Sequence, residues 1–252
     1  MLYIKTLSNI RAMAEGGRLL YEVLELLKSE IRPGIRTKDL NKSAECFIIK
    51  NGAVPGFKGY GGFPAGVCIS VNEQVIHGFP SERVLKEGDI VSLDAGVYYK
   101  GFHTDAARTY AVGKVSPELQ TLMEATEQSF YKGMLQARVG NRISDISHAV
   151  EEYIKPFGYG IVRDFTGHGV GFELHEDPAI PNYGKPGRGV RIQEGMTLAI
   201  EPMITLGSGD VEILSDGWTT VTRDGSYAAH YENTVAVVDG SPVILTAPDV
   251  SI

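Results

Sequence analysis

The chain has 252 residues, of which 43% are hydrophobic and 22% are charged, with a net charge of −7. This composition is typical of soluble globular proteins, and an acidic chain without long basic runs excludes nucleic acid as the main ligand. No CxxC pair, apolar run of membrane-spanning length or signal-peptide pattern occurs, so we expect a cytoplasmic protein without a membrane partner.

The first part of the chain contains two predicted helices followed by strands. Apolar residues at helical spacing predict a helix from Ser8 to about Ser29, with Ser8 as its N-cap. A second helix is predicted from Thr37, as its cap, to Asn51, after which Gly52 can end it in a left-handed conformation. Residues 56–112 are rich in Gly, Val, Ile, Tyr and Phe, which predicts strands joined by turns.

The same order then occurs again. Ser116 is predicted to cap a third helix that runs to about Val139, and a fourth covers residues 143–155. Strand-like sequence returns after Gly158 and continues to about Leu245. Because no linker divides the two parts, we predict one α+β domain, residues 1–252, with pseudo-symmetric halves of roughly 1–113 and 114–252.

Four acidic residues and one histidine lie in apolar or glycine-rich segments. Isolated charges in such surroundings are unfavourable unless they are paired or bind a metal. The five residues are Asp94, Asp105, His168, Glu201 and Glu232. Two come from the first half and three from the second, so they predict a site for two divalent cations at the seam between the halves.

Two of these residues are predicted to face each other across a hairpin. Residues 89–97 and 102–112 read as its strands, and a turn centred on Tyr99 and Lys100 places Asp94 directly opposite Asp105. Directly opposite Cβ atoms are about 4.5–5.5 Å apart. Two carboxylates this close repel each other, so either one is protonated or a cation lies between them. The alternative is an exposed pair in a slipped register.

The six histidines fall into three groups. The functional candidates lie in glycine-containing or apolar turns, where the backbone can approach a ligand closely; they are His77, His168 and His175. His103 and His230 each lie two residues before a predicted acidic ligand, and we expect them to form supporting hydrogen bonds rather than to bind metal. His148 is expected on the surface of a helix.

The ordered set of two aspartates, a Gly-His-Gly histidine and two glutamates resembles the metallopeptidases with the pita-bread fold. Residues 165–175 (FTGHGVGFELH) and 67–73 (VCISVNE) resemble the type I methionine aminopeptidases, and the likeness covers nearly the whole chain. The resemblance implies a single catalytic metallopeptidase domain, in which two helix-helix-strands halves surround a curved antiparallel sheet. It also implies removal of the N-terminal methionine from nascent proteins and peptides with a small second residue.

By this resemblance, two divalent metals would activate a water that attacks the first peptide bond. The first metal would bind Asp94, Asp105 and Glu232, and the second Asp105, His168, Glu201 and Glu232. The resemblance and the oxygen-rich ligands favour Co²⁺, Mn²⁺ or Fe²⁺, with Zn²⁺ as a further option. Glu201 would also carry the proton, an assignment that its role as a ligand leaves open.

The resemblance further implies how substrate is bound. His77 and His175 would contact the substrate and the developing oxyanion. The pocket for the methionine side chain would be formed by Phe57, Tyr60, Phe63, Cys68, Leu174 and Trp218. Cysteine, phenylalanine and histidine are common in the family at the positions of Phe57, Leu174 and Asn233, a difference that bears on selectivity.

The implied partners are the N-termini of nascent polypeptides, with transient contact to the ribosome and a monomeric enzyme. Because such enzymes spare methionine before a bulky residue, Leu2 predicts that Met1 is retained.

Two other functions compete with this interpretation. An X-Pro peptidase of the prolidase or aminopeptidase P type has the same fold and metal ligands, although such enzymes usually carry an extra N-terminal domain. A binding protein on this fold would typically have lost metal ligands, whereas all five are present here.

A type II methionine aminopeptidase would carry a long insertion in the second half, for which the spacing between His168, Glu201 and Glu232 leaves no room.

Overall fold

The computed structural model describes residues 2–250 and 252; the expectation about Met1 lies outside these residues. Within them, the predicted order of two helices followed by strands occurs twice. The helices are α1 (Leu7–Glu30), α2 (Thr37–Lys50), α3 (Pro117–Met134) and α4 (Ile143–Ile154). The strands of the first half are β1 (Val54–Pro55), β2 (Val67–Val71), β3 (Gln74–Ile76), β4 (Ile90–Tyr99) and β5 (Phe102–Ala111). Those of the second half are β6 (Gly160–Ile161), β7 (Gly167–Gly169), β8 (Glu176–Ile180), β9 (Thr197–Ile200), β10 (Met203–Thr205), β11 (Val211–Ile213), β12 (Thr220–Thr222), β13 (Ala228–His230), β14 (Asn233–Val238) and β15 (Ser241–Ile244).

The N-terminal caps of the first two helices differ from the prediction. Thr6, rather than Ser8, caps α1, because its hydroxyl accepts from the Asn9 amide at 3.2 Å while the Asn9 side chain accepts from the Thr6 amide. Thr37 is the first residue of α2 and does not cap it. Its hydroxyl instead donates to the Ser81 carbonyl and accepts from the Ser81 amide, which ties the helix to a loop.

The other helix ends follow the sequence more closely. Ser116 caps α3 by accepting from the Leu119 amide, as predicted. The helix ends at Met134, before the expected Val139, because the chain turns there and the Asn141 side chain binds the Gln136 carbonyl.

Each pair of helices covers strands of its own half. Leu20, Leu24 and Leu27 of α1 are almost completely buried in one core with residues of β2 and β4, and full burial of such side chains contributes about 1.5–3 kcal/mol each. Phe130 of α3 belongs to a second core, with residues of β9 and β14. Gly17 allows α1 to lie close to the backbone at Leu245, because a Cβ on Gly17 would be 2.2 Å from the Leu245 carbonyl oxygen.

All pairings between these strands are antiparallel, and together with the helices they confirm the predicted α+β class. In the first half, β4 pairs with β5 on one edge and with both β1 and β2 on the other. The largest sheet of the second half has the order β15-β14-β9-β7-β8, and β13, β10 and β6 form a smaller one. A third sheet, β11-β12-β3, joins the halves because β3 comes from the first.

The register of the β4–β5 hairpin corrects the prediction. Tyr99 pairs with Phe102, so the turn consists of Lys100 and Gly101, both with positive φ (50° and 87°). Positive φ at both positions is what a two-residue type I′ turn requires. Asp105 therefore lies opposite Gly96, not opposite Asp94. The shift is two residues, an even number, so both aspartates remain on one face as diagonal neighbours.

The seam between the halves runs along β5. Ala107 and Glu232 exchange backbone hydrogen bonds of 2.9 and 3.3 Å. The Thr234 hydroxyl accepts from the Asp105 amide and donates to the Asp105 carbonyl. These contacts fix Asp105 of the first half beside Glu232 of the second. Among the described residues, no helix combines the length and apolar character needed to cross a membrane.

Candidate active site

The five predicted ligands converge at this seam. Asp94 lies on β4, Asp105 on β5 and His168 on β7, while Glu201 directly follows β9 and Glu232 directly precedes β14. Asp105 is 3% exposed and Glu232 is 2% exposed. Nε2 of His168 lies 3.9 Å from Oδ2 of Asp105 and 3.7 Å from Oε1 of Glu201. The predicted convergence of the five side chains is therefore present in the fold.

Burial and mutual repulsion dominate at the buried carboxylates of the site, and at Glu232 they outweigh the nearby Arg108 cation. Burial raises the pKa of Asp94 to about 7 and that of Glu201 to about 8. Burial and the neighbouring acids raise the pKa values of Asp105 and Glu232 well above their usual range. Within the described part of the chain, one oxygen each of Asp94, Asp105 and Glu232 finds no hydrogen-bond partner. Divalent cations would supply both the missing charge and the missing partners.

His168 has the tautomer that metal binding needs. Its Nδ1 lies 2.8 Å from the Gly169 carbonyl and so must donate to it, which leaves the lone pair of Nε2 facing the carboxylates. Burial lowers the pKa of His168 to about 3, so the ring is neutral at physiological pH. A neutral imidazole beside carboxylate oxygens is a suitable ligand set for divalent transition metals.

Two groups of ligand atoms are close enough to hold a metal. Asp105, His168 and Glu232 form one, and Glu201, His230 and Glu232 form the other, with the ligand atoms of each group within 4.8 Å of one another. Glu232 belongs to both groups, as a residue shared by two metals would. Asp94 belongs to neither, although it lines the same cavity. The residues present thus fit a site for divalent metal.

His230 lies closer to this site than the sequence suggested. Its Nε2 is 3.3 Å from Oε2 of Glu201, and its ring is 1% exposed. Burial lowers the pKa of His230 to about 4, so the ring is neutral. In the sequence, its position two residues before Glu232 was the only indication that His230 lies near the site. By contrast, His103 packs against the Tyr98 ring at 4.7 Å and is absent from the cavity lining.

A cavity of about 330 Å³ opens beside the five ligands, a size at the lower end for small-molecule sites. Its lining includes all of the predicted substrate-binding residues: Phe57, Tyr60, Phe63, His77, Cys68, Leu174, His175 and Trp218. Cys68 pairs with Asp94 across β2 and β4, so the apolar part of the cavity meets the carboxylates there. The ring of Phe63 is edge-on to Trp218, with ring centroids 5.3 Å apart.

Four further residues of this lining were not predicted from the sequence: Ile76, Asp164, Phe165 and Thr166. Three of them directly precede the Gly-His-Gly segment, and that adjacency was the only signal available. Phe165 contributes a specific contact, because its ring is edge-on to His77 with centroids 5.6 Å apart.

The two histidines predicted to contact substrate, His77 and His175, are held by their surroundings. His77 has a φ of 57°, a strained conformation for a residue with a side chain and one often found at functional sites. The next residue must be glycine, because a Cβ on Gly78 would lie 2.4 Å from the Ile69 carbonyl oxygen. Burial lowers the pKa of His77 to about 4. His175 directly precedes β8, and its Nδ1 lies 2.8 Å from the Tyr60 hydroxyl.

Comparison with known proteins extends these observations. The sequence pattern of metallopeptidase family M24 matches residues 11–239. A methionine aminopeptidase of Clostridium acetobutylicum is 53% identical over 247 residues, which cover 98% of this chain and 99% of the relative. The crystal structure of methionine aminopeptidase from Thermotoga maritima superposes with a TM-score of 0.96 at 44% identity, covering 98% of this chain and 99% of that one. Prolidase from Pyrococcus furiosus superposes with a TM-score of 0.79 at 24% identity, over 66% of its own length, which shows a shared fold alone. These likenesses confirm the predicted pita-bread fold.

Proposed function

This chain belongs to the methionine aminopeptidases of metallopeptidase family M24, and from that premise we propose that it removes the N-terminal methionine from peptides and nascent proteins with a small second residue. One observation carries the proposal: a single cavity joins the buried carboxylate and histidine cluster to an apolar, aromatic pocket. The cluster can support hydrolysis, and the pocket can hold an unbranched thioether beside it.

The proposed metal assignment follows the predicted ligands. Asp94, Asp105 and Glu232 would hold one divalent ion, and Asp105, His168, Glu201 and Glu232 would hold the other, with Co²⁺, Mn²⁺ or Fe²⁺ as the ions and Zn²⁺ as a further candidate. When bound, the ions would supply Lewis acidity toward a water and the first peptide carbonyl. Glu232 belongs to both groups of ligand atoms, which supports its shared role in this assignment.

Side chains around the metal site would transfer the proton, stabilise the oxyanion and position the peptide. Glu201 takes a proton from the attacking water and delivers it to the leaving amine nitrogen as the peptide C–N bond breaks. The ring of His230, 3.3 Å away, limits where the Glu201 carboxylate can lie. His175 faces the scissile peptide. With the Tyr60 hydroxyl donating to Nδ1, its Nε2 carries the proton and can donate to the developing oxyanion. His77, neutral because burial lowers its pKa to about 4, positions the peptide from the other wall of the cavity.

The apolar pocket selects the substrate's first side chain. Phe63, Trp218 and Leu174 provide its walls, and Cys68 lies at its inner end. Aromatic rings around a thioether add sulfur–aromatic contacts of about 0.3–1.5 kcal/mol each.

A comparison of two peptides tests the proposal. Chelated protein is given Mn²⁺ or Co²⁺ and assayed with Met-Ala-Ser and with an Ala-Pro peptide. We expect metal-dependent release of methionine and no cleavage of Ala-Pro. Preferential cleavage of Ala-Pro would instead identify an X-Pro peptidase, and no release of methionine from Met-Ala-Ser with either metal would refute the proposed activity.

We also propose the cellular location, the partners and the oligomeric state of the enzyme. Its proposed substrates are the N-termini of newly made chains. We therefore propose that the enzyme is cytoplasmic and contacts the ribosome transiently. We expect a monomer, for which light scattering should give a mass near 27.3 kDa.

A further inference from the structure

We propose that a buried ion pair between Lys5 and Glu176 holds the loop that carries Leu174 and His175, which makes Lys5 and Glu176 positioning residues of the active site. The inference rests on the proposed function, because the placement of this loop affects turnover only if His175 contacts substrate. Glu176 directly follows His175 and begins β8.

The pair is fully removed from solvent. Nζ of Lys5 donates to Oε2 of Glu176, and the exposed fractions of the two side chains are 0% and 1%. The Lys5 ammonium also lies 5.6 Å from the Tyr3 ring centroid and 5.4 Å from that of Phe172. Replacing both partners of a buried pair by uncharged groups is often neutral for stability, so such a pair indicates a geometric role.

The second oxygen of Glu176 organises the loop itself. Oε1 accepts from the Phe172 amide at 2.7 Å and from the Glu173 amide at 3.1 Å. The carboxylate thus closes the turn that contains Leu174 and His175. At the other end of the loop, the Gly171 carbonyl accepts from the His103 amide of β5 at 2.7 Å.

The Lys5 side chain fills the space beside this turn. A Cβ on Gly171 would lie 2.4 Å from Cε of Lys5, so glycine at this position leaves room for the lysine stem. Backbone contacts also hold the N-terminal segment beside the loop, at Gly195 and at Asp177, the residue after Glu176. The Lys5 amide donates to the Gly195 carbonyl at 2.8 Å, and Leu2 forms a parallel bridge with Asp177.

Together these contacts make the N-terminal segment a support for one wall of the active site. Preorganised side chains matter because a displacement of about 1 Å can reduce turnover by as much as about 100-fold. The metal ligands come from other strands, so loss of the ion pair should change the placement of His175 without changing metal binding.

The test uses full-length, metal-loaded protein in four forms. They are the wild type, the uncharged pair Lys5→Met/Glu176→Gln, the conservative Lys5→Arg, and the control pair Glu15→Gln/Lys100→Met. In the uncharged pair, the glutamine keeps an acceptor for the Phe172 and Glu173 amides. The control removes an ion pair of 2.7 Å whose partners are about half exposed and which lies away from the loop.

For the uncharged pair, we expect kcat on Met-Ala-Ser to fall roughly 10- to 100-fold. Its metal affinity, measured by titration calorimetry, should stay about the same as that of the wild type, and the ring resonances of His175 should shift. Lys5→Arg and the control pair should keep the wild-type kcat and His175 resonances. A folded uncharged pair with wild-type kcat and unshifted His175 resonances would overturn the inference.

A second measurement needs no substitution. If the ion pair fixes the turn, the Phe172 and Glu173 amides of the wild type should exchange with deuterium as slowly as those of β7, and fast exchange would contradict the proposal.

The two proposals can fail separately. A wild type that releases no methionine refutes the proposed activity, whereas the resonance and exchange measurements still decide the role of Lys5 and Glu176.

Discussion

The hydroxyl of Tyr60 lies 2.8 Å from Nδ1 of His175, and the two ring centroids are 5.1 Å apart. Tyr60 belongs to the first half of the chain and His175 to the second, so this hydrogen bond joins the two halves within the cavity lining. It gives His175 one orientation, with Nε2 free for the substrate.

Replacing His175 by Ala should leave metal content unchanged and lower kcat roughly 100- to 1,000-fold, as expected for loss of an oxyanion donor. Tyr60→Phe should cause a smaller fall in kcat, because it removes only the orienting hydrogen bond. Steady-state kinetics on Met-Ala-Ser and metal analysis measure both effects. His148→Ala, a change on the half-buried face of α4, serves as the control. Near-normal turnover in His175→Ala would contradict the proposed role of His175 as an oxyanion donor.

Replacing Asp105 by Asn should remove metal and activity together, because Asp105 is assigned to both ions. Loss of groups that merely support a metal ligand typically weakens binding 10–100-fold, so loss of a shared ligand should weaken it by about 100-fold or more. Calorimetric titration with Mn²⁺ measures the affinity. Asp164→Asn is the matched control, since Asp164 is an exposed carboxylate of the same cavity outside the ligand groups. A fully metallated, active Asp105→Asn variant would refute the shared assignment.

The stability of metal-free protein should fall as the pH rises from 6.5 to 8. Asp94 and Glu201 have folded pKa values of about 7 and 8, so they lose protons in the folded state across this range, whereas in unfolded chains they are already ionised. Histidines oppose the effect near pH 6.5 but little above pH 7.5. Burial lowers the pKa values of His77, His168 and His230 to between about 3 and 4, and it also lowers those of His103 and His175, so these rings are neutral in the folded protein. In the unfolded chain they lose their protons around a pKa of about 6.5, so their contribution fades as the pH rises further.

The melting temperature of chelated protein, measured at intervals across this pH range, tests the expectation. For a chain of this size, each kcal/mol of lost stability lowers the melting temperature by roughly 2–4 °C. Protein saturated with Mn²⁺ is the control, and its melting temperature should change little because the cations compensate the carboxylates. A chelated protein with constant stability from pH 6.5 to 8 would show that the carboxylates keep their usual charge.

Gly96→Ala should raise KM for Met-Ala-Ser several-fold while metal content stays constant. A Cβ at this position would lie 2.6 Å from Cε1 of Phe57, so the ring must move from its place at the methionine pocket. The same substitution in a Phe57→Cys background is the control, because the smaller side chain leaves room for the new methyl group. An equal rise in KM in both backgrounds would show that Phe57 does not transmit the effect.

Local sequence patterns determined much of the fold and of the site. Helical spacing located α1 to α4 to within a few residues, except for the early end of α3. Alternation along β4 and β5 put Asp94 and Asp105 on one face, and the two-residue error in register did not change that face because the side-chain period of a strand is two. Runs of apolar residues around single charges indicated the five candidate ligands, since burial of an unpaired charge is costly.

Tertiary structure alone decided which of these elements meet. The backbone pairing of Ala107 with Glu232 brings the halves together. The pairing of β10 with β13, in which Met203 lies opposite His230, brings His230 to Glu201. The contact of Lys5 with Glu176 spans 171 positions in the chain. Local periodicity specifies the face on which a side chain lies, but contacts between distant segments depend on how separate sheets and helices pack. For that reason the sequence predicted the candidate ligands and the pocket, whereas only the structure revealed the ion pair that we propose holds the loop of Leu174 and His175.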